Sequence, residues 1–178
     1  ERKEGVVKKL VGGVEQLLKG NGVEVINGAG SLESAGAVRI AKVDGSTDAV
    51  AGKAIIVATG SEPAMIPAFN IDRRNVITST EALALKKVPE SILIIGGGVM
   101  GCEFATLFSA FGSRVTVVEL LPTILSTEDR AVSRVIMKRF KETGVNVLTE
   151  VVVESVEAEA EGRVKTRLGD GREFLTEK

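Results

Sequence analysis

The stretch Ser91-Ile-Leu-Ile-Ile-Gly-Gly-Gly-Val-Met-Gly-Cys-Glu103, followed by Val115-Thr-Val-Val-Glu119, decides the fold. Four apolar residues, Ile92 to Ile95, run directly into Gly96, Gly98 and Gly101 at G-x-G-x-x-G spacing. An apolar helical stretch follows, then a second apolar strand ending in an acid. Each part has a physical role in holding a dinucleotide. Gly96 permits a tight strand-to-helix turn, Gly98 lets a diphosphate approach bare backbone, and Gly101 lets the helix pack closely on the strand. The free N–H groups and positive dipole at the helix start then face the anion.

A glycine pattern alone is weak, because ordinary glycine turns are common in α/β proteins that hold no ligand. Its context here is fuller: a strand before it, a helix after it, a second strand, and an acid at the offset a ribose ligand requires. Glu119 can accept hydrogen bonds from the adenosine ribose hydroxyls. It would repel a 2′-phosphate, and two like charges ~4 Å apart repel by about 1–4 kcal/mol at intermediate to high dielectric. Leu120-Leu-Pro-Thr123 supplies no arginine to receive that phosphate, so NAD is favoured over NADP. Taken alone, Glu119 also reads as a solvated acid at a strand end.

Composition excludes several classes. Apolar residues make up 44% of the 178 and charged residues 26%, which is ordinary for a globular chain. Lysine plus arginine number 23 against 24 aspartate plus glutamate, so charge gives no reason to expect nucleic acid or an anionic membrane as partner. No apolar run approaches the ~20 residues that span a bilayer, and Glu1-Arg-Lys-Glu does not resemble a secretory signal. Cys102 is the single cysteine, and histidine and tyrosine are absent. An imidazole triad, a tyrosine–lysine pair and a two-cysteine redox centre are therefore excluded within these residues. No metal-ligating set is expected. The chain reads as one that binds without completing a chemical cycle, in a cytoplasmic or organelle-matrix setting.

Along the chain, Val7, Leu10, Val11, Val14, Leu17 and Leu18 recur at helical spacing over residues 4–20, closed by Asn21-Gly22. Val23-Glu-Val-Ile26 reads as a short strand. Val38 to Lys53, with its Asp44-Gly45 turn, reads as a hairpin or small meander. Ala54-Ile-Ile-Val-Ala-Thr-Gly60 reads as a buried strand of a parallel sheet. Thr80 to Leu85 predicts a short helix behind a Ser/Thr cap. Beyond Glu119, Val132, Val135, Ile136 and Phe140 predict a helix ending at Thr143-Gly144. Val145 to Leu148 predicts a strand, and Val151 to Arg172 an antiparallel meander with turns at Glu161-Gly162 and Gly169-Asp170-Gly171.

The pattern repeats internally. Leu18-Lys-Gly-Asn-Gly-Val-Glu-Val-Ile26 matches Phe140-Lys-Glu-Thr-Gly-Val-Asn-Val-Leu148, and a meander follows each. At the same offset, the counterpart of the strand starting near Ile55 falls at residue 177. That is where the sequence stops, so the sheet strand that should come next is expected to be missing, and the chain reads as an internal fragment of a longer polypeptide.

Two such halves, one nested in the other, resemble the flavoprotein pyridine nucleotide-disulfide oxidoreductases, and among them the dihydrolipoamide dehydrogenase branch. The resemblance is carried by Gly28-Ala-Gly30, Ile55-Ile-Val-Ala-Thr-Gly-Ser61, Ile77-Thr-Ser-Thr-Glu-Ala-Leu83, Ile94-Ile-Gly-Gly-Gly-Val-Met-Gly-Cys-Glu103 and Val115 to Glu119. It implies a Rossmann-like, three-layer α/β fold for FAD and NAD(P), with antiparallel meander insertions, truncated. Residues 1–70 would be the C-terminal part of a flavin domain, and 71–178 a nicotinamide domain incomplete at its C-terminus. Gly30 would lie against the adenine end of FAD, and Thr59, Gly60 and Ser61 near its nucleotide portion. Gly96, Gly97, Gly98, Val99, Met100, Gly101, Cys102 and Glu103 would wrap the NAD diphosphate, with Glu103 toward the nicotinamide. Glu119 would hold the ribose and Val153 would flank the adenine. Without the resemblance, Thr59 to Ser61 is a plain strand-end turn and Glu103 a solvated helix acid.

The family's first glycine fingerprint, its C-x-x-x-x-C redox pair, its later Gly-Asp flavin contact and its dimerisation domain with a histidine–glutamate base have no counterpart in these residues. Cys102 aligns with no redox cysteine and reads as a small packing residue. The resemblance implies a parent that oxidises protein-bound dihydrolipoamide through a disulfide and FAD to reduce NAD. That parent would be a homodimer serving lipoyl-bearing complex subunits. The alternatives are a non-catalytic dinucleotide-binding module, as in redox-sensing regulators, or another flavoprotein disulfide reductase such as mercuric or glutathione reductase. Glutathione-type members generally favour NADP, which Glu119 disfavours.

Overall fold

A computed structural model describes residues 2–178. It divides into two compact units, one ending at Gly60 and the other spanning Ser61–Lys178. In the first unit, α1 (Arg2–Gly20) is followed by a three-stranded antiparallel sheet of β1 (Ala29–Ser34), β2 (Ala37–Ala41) and β3 (Thr47–Ala51) in that order. Asn21 Nδ2 donates to Leu17 O, and Gly22 takes a φ of +68°, so this pair closes α1 as its sequence requires. The apolar stripe of α1 forms, but none of its residues is buried. The hairpin or small meander expected over Val38 to Lys53 forms as β2 and β3, and β1 adds a strand before that stretch.

Two expected strands of this unit do not form. Val23 to Ile26 and Ala54 to Gly60 carry no ladder, and Ile56 and Val57 stand 91% and 66% exposed. A buried parallel strand needs parallel neighbours and a cover on both faces, and the unit's strands pair only antiparallel with one another. The unit's three strands are already engaged with one another in the meander.

The second unit builds three layers. At its centre is a parallel sheet in the order β4 (Ser91–Ile95), β5 (Arg114–Val118) and β6 (Asn146–Leu148). Because alternate residues point to opposite faces, Ile92, Val115 and Val117 meet one core and Leu93, Val118 and Leu148 the other. On the first face lie α3 (Val99–Ala110) and α4 (Arg130–Thr143), contributing Cys102, Ala105, Phe108 and Phe140. The second face is covered by the antiparallel meander β7 (Val153–Ala158), β8 (Val164–Leu168) and β9 (Glu173–Thr176), through Val153, Leu168 and Phe174. The architecture is the expected α/β arrangement with a meander insertion.

Local chemistry explains the element ends. α2 (Ser79–Ala84) starts on a capping box, in which Glu81 Oε2 accepts the Thr78 N–H at 2.9 Å and the Thr78 hydroxyl at 2.6 Å. α4 starts where Asp129 Oδ1 accepts the Ala131 N–H at 2.7 Å, and it stops at Gly144 with φ +76°. Val132 and Val135 are exposed, so Ser133 and Phe140 form the buried stripe. No strand is assigned after β9 among the described residues, but the backbone of residues 177 and 178 runs along the edge of β4. Leu93 N–H donates to Lys178 O at 2.9 Å, and the Glu177 and Lys178 N–H groups approach Ser91 O at 3.2 Å.

Candidate functional site

The turn between β4 and α3 is built around its glycines, each meeting a different demand. Gly96 has φ +105°, a region that side-chain-bearing residues avoid. Its N–H donates to Val118 O at 2.8 Å, extending the β4–β5 ladder into the turn. A methyl on Gly101 would overlap the Gly96 carbonyl oxygen, so only glycine allows the helix to sit this close. A methyl on Gly97 would lie 2.6 Å from Ile124 Cγ2. Around Gly98 there is open space, with nothing within 4 Å of an added methyl.

Gly98 is the N-cap of α3 and carries no capping side chain. The first i→i−4 bond of the helix runs from Cys102 N–H to Gly98 O at 3.0 Å. The N–H groups of Val99, Met100 and Gly101 precede it, and Gly98, Val99 and Met100 are exposed. Bare, outward N–H groups at the positive end of a helix dipole are what a diphosphate requires. The residues present fit that group.

Glu119 sits beside this turn. Its backbone is fixed by Glu119 N–H to Leu148 O at 2.8 Å and Val151 N–H to Glu119 O at 3.1 Å. Its carboxylate accepts the Gly97 N–H through Oε2 at 2.7 Å and the Leu121 N–H through Oε1 at 2.8 Å. Each oxygen keeps a further lone pair, and the residue is half-buried, so acceptor capacity remains on its open side.

Cys102 packs under the same turn, buried, with its Sγ 3.4 Å from Gly97 O. Burial, reinforced by the negative charge of Glu119, pushes its thiol up to about 11. A thiol held protonated is a poor nucleophile, so Cys102 is a packing residue. Glu103, the next residue, is exposed on α3. Val153 begins β7 and packs toward Val118, Val151 and Leu168.

The remaining candidates lie elsewhere. Gly30 is in β1 opposite Ile40, where an added methyl would make only an ordinary 3.5 Å contact with Val38. Thr59 and Gly60 end the first unit in irregular backbone, with Gly60 at φ +80°. Ser61 opens the second unit and lines a polar hollow with Glu62, Arg73 and Glu81. The structure thus draws Gly96 to Cys102 and Glu119 into one site.

An apolar hollow of about 290 Å³ opens beside Gly96 and Gly101, lined by Phe69, Ile94, Met100, Phe104 and Val156 among others. An anion needs N–H donors rather than such walls, so the diphosphate fit rests on the turn itself.

Leu120 to Thr123 enter the sequence argument only through their lack of an arginine, and Ile124 to Glu128 are a part of the site that the motif does not single out. Ile124 is fully buried against Gly97, and Leu125 N–H donates to Gly97 O at 2.8 Å. The available signal was the apolar pair Ile124-Leu125 inside an otherwise polar loop after Pro122. Among the described residues, no helix is long and apolar enough to cross a membrane.

Comparison with known proteins agrees with this geometry. The family model described as pyridine nucleotide-disulphide oxidoreductase matches residues 1–178. Dihydrolipoyl dehydrogenase of Acholeplasma laidlawii is 41% identical over 160 residues, 88% of this chain and 46% of that enzyme. The Geobacillus stearothermophilus dihydrolipoyl dehydrogenase is 40% identical over 171 residues, 96% of this chain and 36% of that enzyme. The crystal structure of LpdA from Mycobacterium tuberculosis superposes with a TM-score of 0.88 at 27% identity, covering 99% of this chain and 39% of that one. The chain therefore spans less than half the length of these relatives. Family members use FAD and NAD(P). With the glycine turn, its acid and the three-layer unit all in place, the chain belongs to the pyridine nucleotide-disulphide oxidoreductase family.

Proposed function

We propose that this chain is the nucleotide-binding portion of an FAD-dependent dihydrolipoyl dehydrogenase, which oxidises protein-bound dihydrolipoamide and reduces NAD. The observation that carries the reading is the single unit formed by the glycine turn and Glu119, whose carboxylate lies 2.7 Å from the Gly97 N–H. In this reading, residues 71–178 form the nicotinamide domain and residues 1–70 belong to the flavin domain. Gly96 to Glu103 wrap the NAD diphosphate, Glu119 takes the adenosine ribose and Val153 flanks the adenine. Gly30 and Thr59 to Ser61 contact FAD.

The chain's own residues bind and orient; with one cysteine and no histidine, they contain neither a redox disulfide nor an imidazole base. Those groups belong to other segments of the whole enzyme. FAD and the disulfide supply the electron transfer, while this portion presents the nicotinamide. The whole enzyme is proposed as a homodimer serving lipoyl-bearing complex subunits, in the cytoplasm or an organelle matrix. Identities of 40–41% to dihydrolipoyl dehydrogenases support this over a non-catalytic module or a mercuric-type reductase.

The test is a steady-state assay of the FAD-loaded protein carrying this sequence, with free dihydrolipoamide as reductant. NAD reduction is expected, with NADP at least about tenfold poorer because of charge repulsion at Glu119. Absence of NAD reduction, or a preference for NADPH with glutathione disulfide, would overturn the assignment.

A further inference from the structure

Leu125 has φ +52°, a left-handed backbone that a leucine side chain neither favours nor stabilises by hydrogen bonding. It is nonetheless 7% exposed and held at both ends: its N–H donates to Gly97 O at 2.8 Å and its carbonyl accepts from Glu128 N–H at 2.9 Å. Cys102 Sγ approaches the same Gly97 oxygen at 3.4 Å. The Gly97 carbonyl is thus anchored inward, toward two buried residues. In a trans peptide the carbonyl and the following N–H point in opposite directions. The inward Gly97 C=O therefore turns the Gly98 N–H outward, into the open space in front of Gly98.

We propose that Leu125 is a positioning residue for dinucleotide binding: its left-handed backbone places an N–H on Gly97 O, and this presents the Gly98 N–H to the nucleotide diphosphate. The proposal rests on the NAD-binding reading above. Strained residues persist where the surroundings over-determine them, often next to ligand clamps. Here the strain is separable from packing, because the two make opposite demands on the side chain. Glycine and asparagine tolerate a positive φ but fill the buried site poorly; valine fills it better but resists a positive φ.

The experiment compares L125V, L125G and L125N in the intact, FAD-loaded protein, measuring the Kd for NADH, the KM for NAD, kcat with dihydrolipoamide, and the melting temperature. L125V is expected to weaken NADH binding and raise KM about tenfold. L125G and L125N should stay within about threefold, whatever their melting temperatures, with kcat at saturating NAD unchanged in all three. The reverse order, with valine the mildest change, would mean that Leu125 only fills space and would overturn the proposal. If L125V does not fold, L125I takes its place: weaker NADH binding than L125N supports the proposal, and binding as tight as or tighter than L125N defeats it. Unmodified protein that binds no NADH would overturn the function itself, a result distinct from normal binding by the unmodified protein and L125V alike.

Discussion

Glu119 accepts the Gly97 N–H at 2.7 Å, so the acid ending β5 and the middle glycine after β4 are one hydrogen-bonded unit. The carboxylate therefore shapes the turn before any ribose reaches it. Since Gly97 is buried, removal of its acceptor leaves an N–H with no replacement from solvent.

That dual role predicts the outcome of replacing Glu119. Glu119→Ala should destabilise the fold by about 1–3 kcal/mol, the range for an orphaned buried donor. Glu119→Gln keeps an oxygen for Gly97 and should lose less than about half of that. In the whole enzyme both should weaken NAD binding, and Glu119→Ala should not yield a good NADP site, because the turn loses its brace along with its negative charge. Urea denaturation, paired with NADH and NADPH titrations, checks this. Equal stability of the two variants would refute the bracing role.

The glycines separate fold from binding. Gly98 has φ −70°, with open space around it, so Gly98→Ala should leave the melting temperature within about 1–2 °C. The added methyl would occupy the approach to the outward N–H groups, and NADH affinity should fall at least about tenfold. Gly101→Ala should instead prevent folding or destabilise severely, because its methyl would overlap the backbone oxygen of Gly96 and neither atom can swing aside. Undiminished NADH binding by Gly98→Ala would remove the diphosphate from this turn.

These contrasts also mark what could be read from sequence. Gly96, Gly98 and Gly101 specify a turn through their spacing, and Gly144 a helix stop, because each acts through its own backbone. Asp44-Gly45 and Gly169 to Gly171 likewise position meander turns locally. Val23 to Ile26 and Ala54 to Gly60 looked like strands for a different reason. An apolar run expresses a preference for burial, whereas a strand also requires a partner's N–H and C=O groups. Val7, Leu10 and Leu17 show the same gap, since periodicity formed the helix without burying its stripe. The apolar character of Leu125 is legible but its positive φ is not, because that conformation is imposed by its contacts with Gly97 and Glu128.

Thr78 caps α2 and donates to Glu81. Thr78→Ala should cost about 1 kcal/mol, the usual loss for an N-cap. The Thr78 hydroxyl and N–H, both donated to the Glu81 carboxylate, hold its pKa below the ordinary 4.5. This support is present above pH 4.5 and lost as pH falls through the lowered value. In Thr78→Ala, NMR titration should return the Glu81 pKa toward 4.5; an unmoved value would show that the hydroxyl contributes nothing.

Cys102 gives the opposite pH dependence. Its thiol is pushed up from 9.0 to about 11, first by burial and then by the negative charge of Glu119. Between those values the unfolded chain releases a proton that the folded protein retains, so rising pH favours unfolding. The contribution is fully present below pH 9 and is lost as pH rises through about 11. Urea midpoints measured from pH 8 to 10.5 should fall more steeply for the unmodified protein than for Cys102→Ser, whose hydroxyl does not ionise in this range. The two proteins differ only at residue 102, so the difference between their curves isolates its thiol. Because only the thiolate reacts, iodoacetamide should also label Cys102 slowly at pH 8 until urea exposes it. Parallel midpoint curves, or rapid labelling of the folded protein, would mean that the thiol is neither buried nor held protonated beneath the turn.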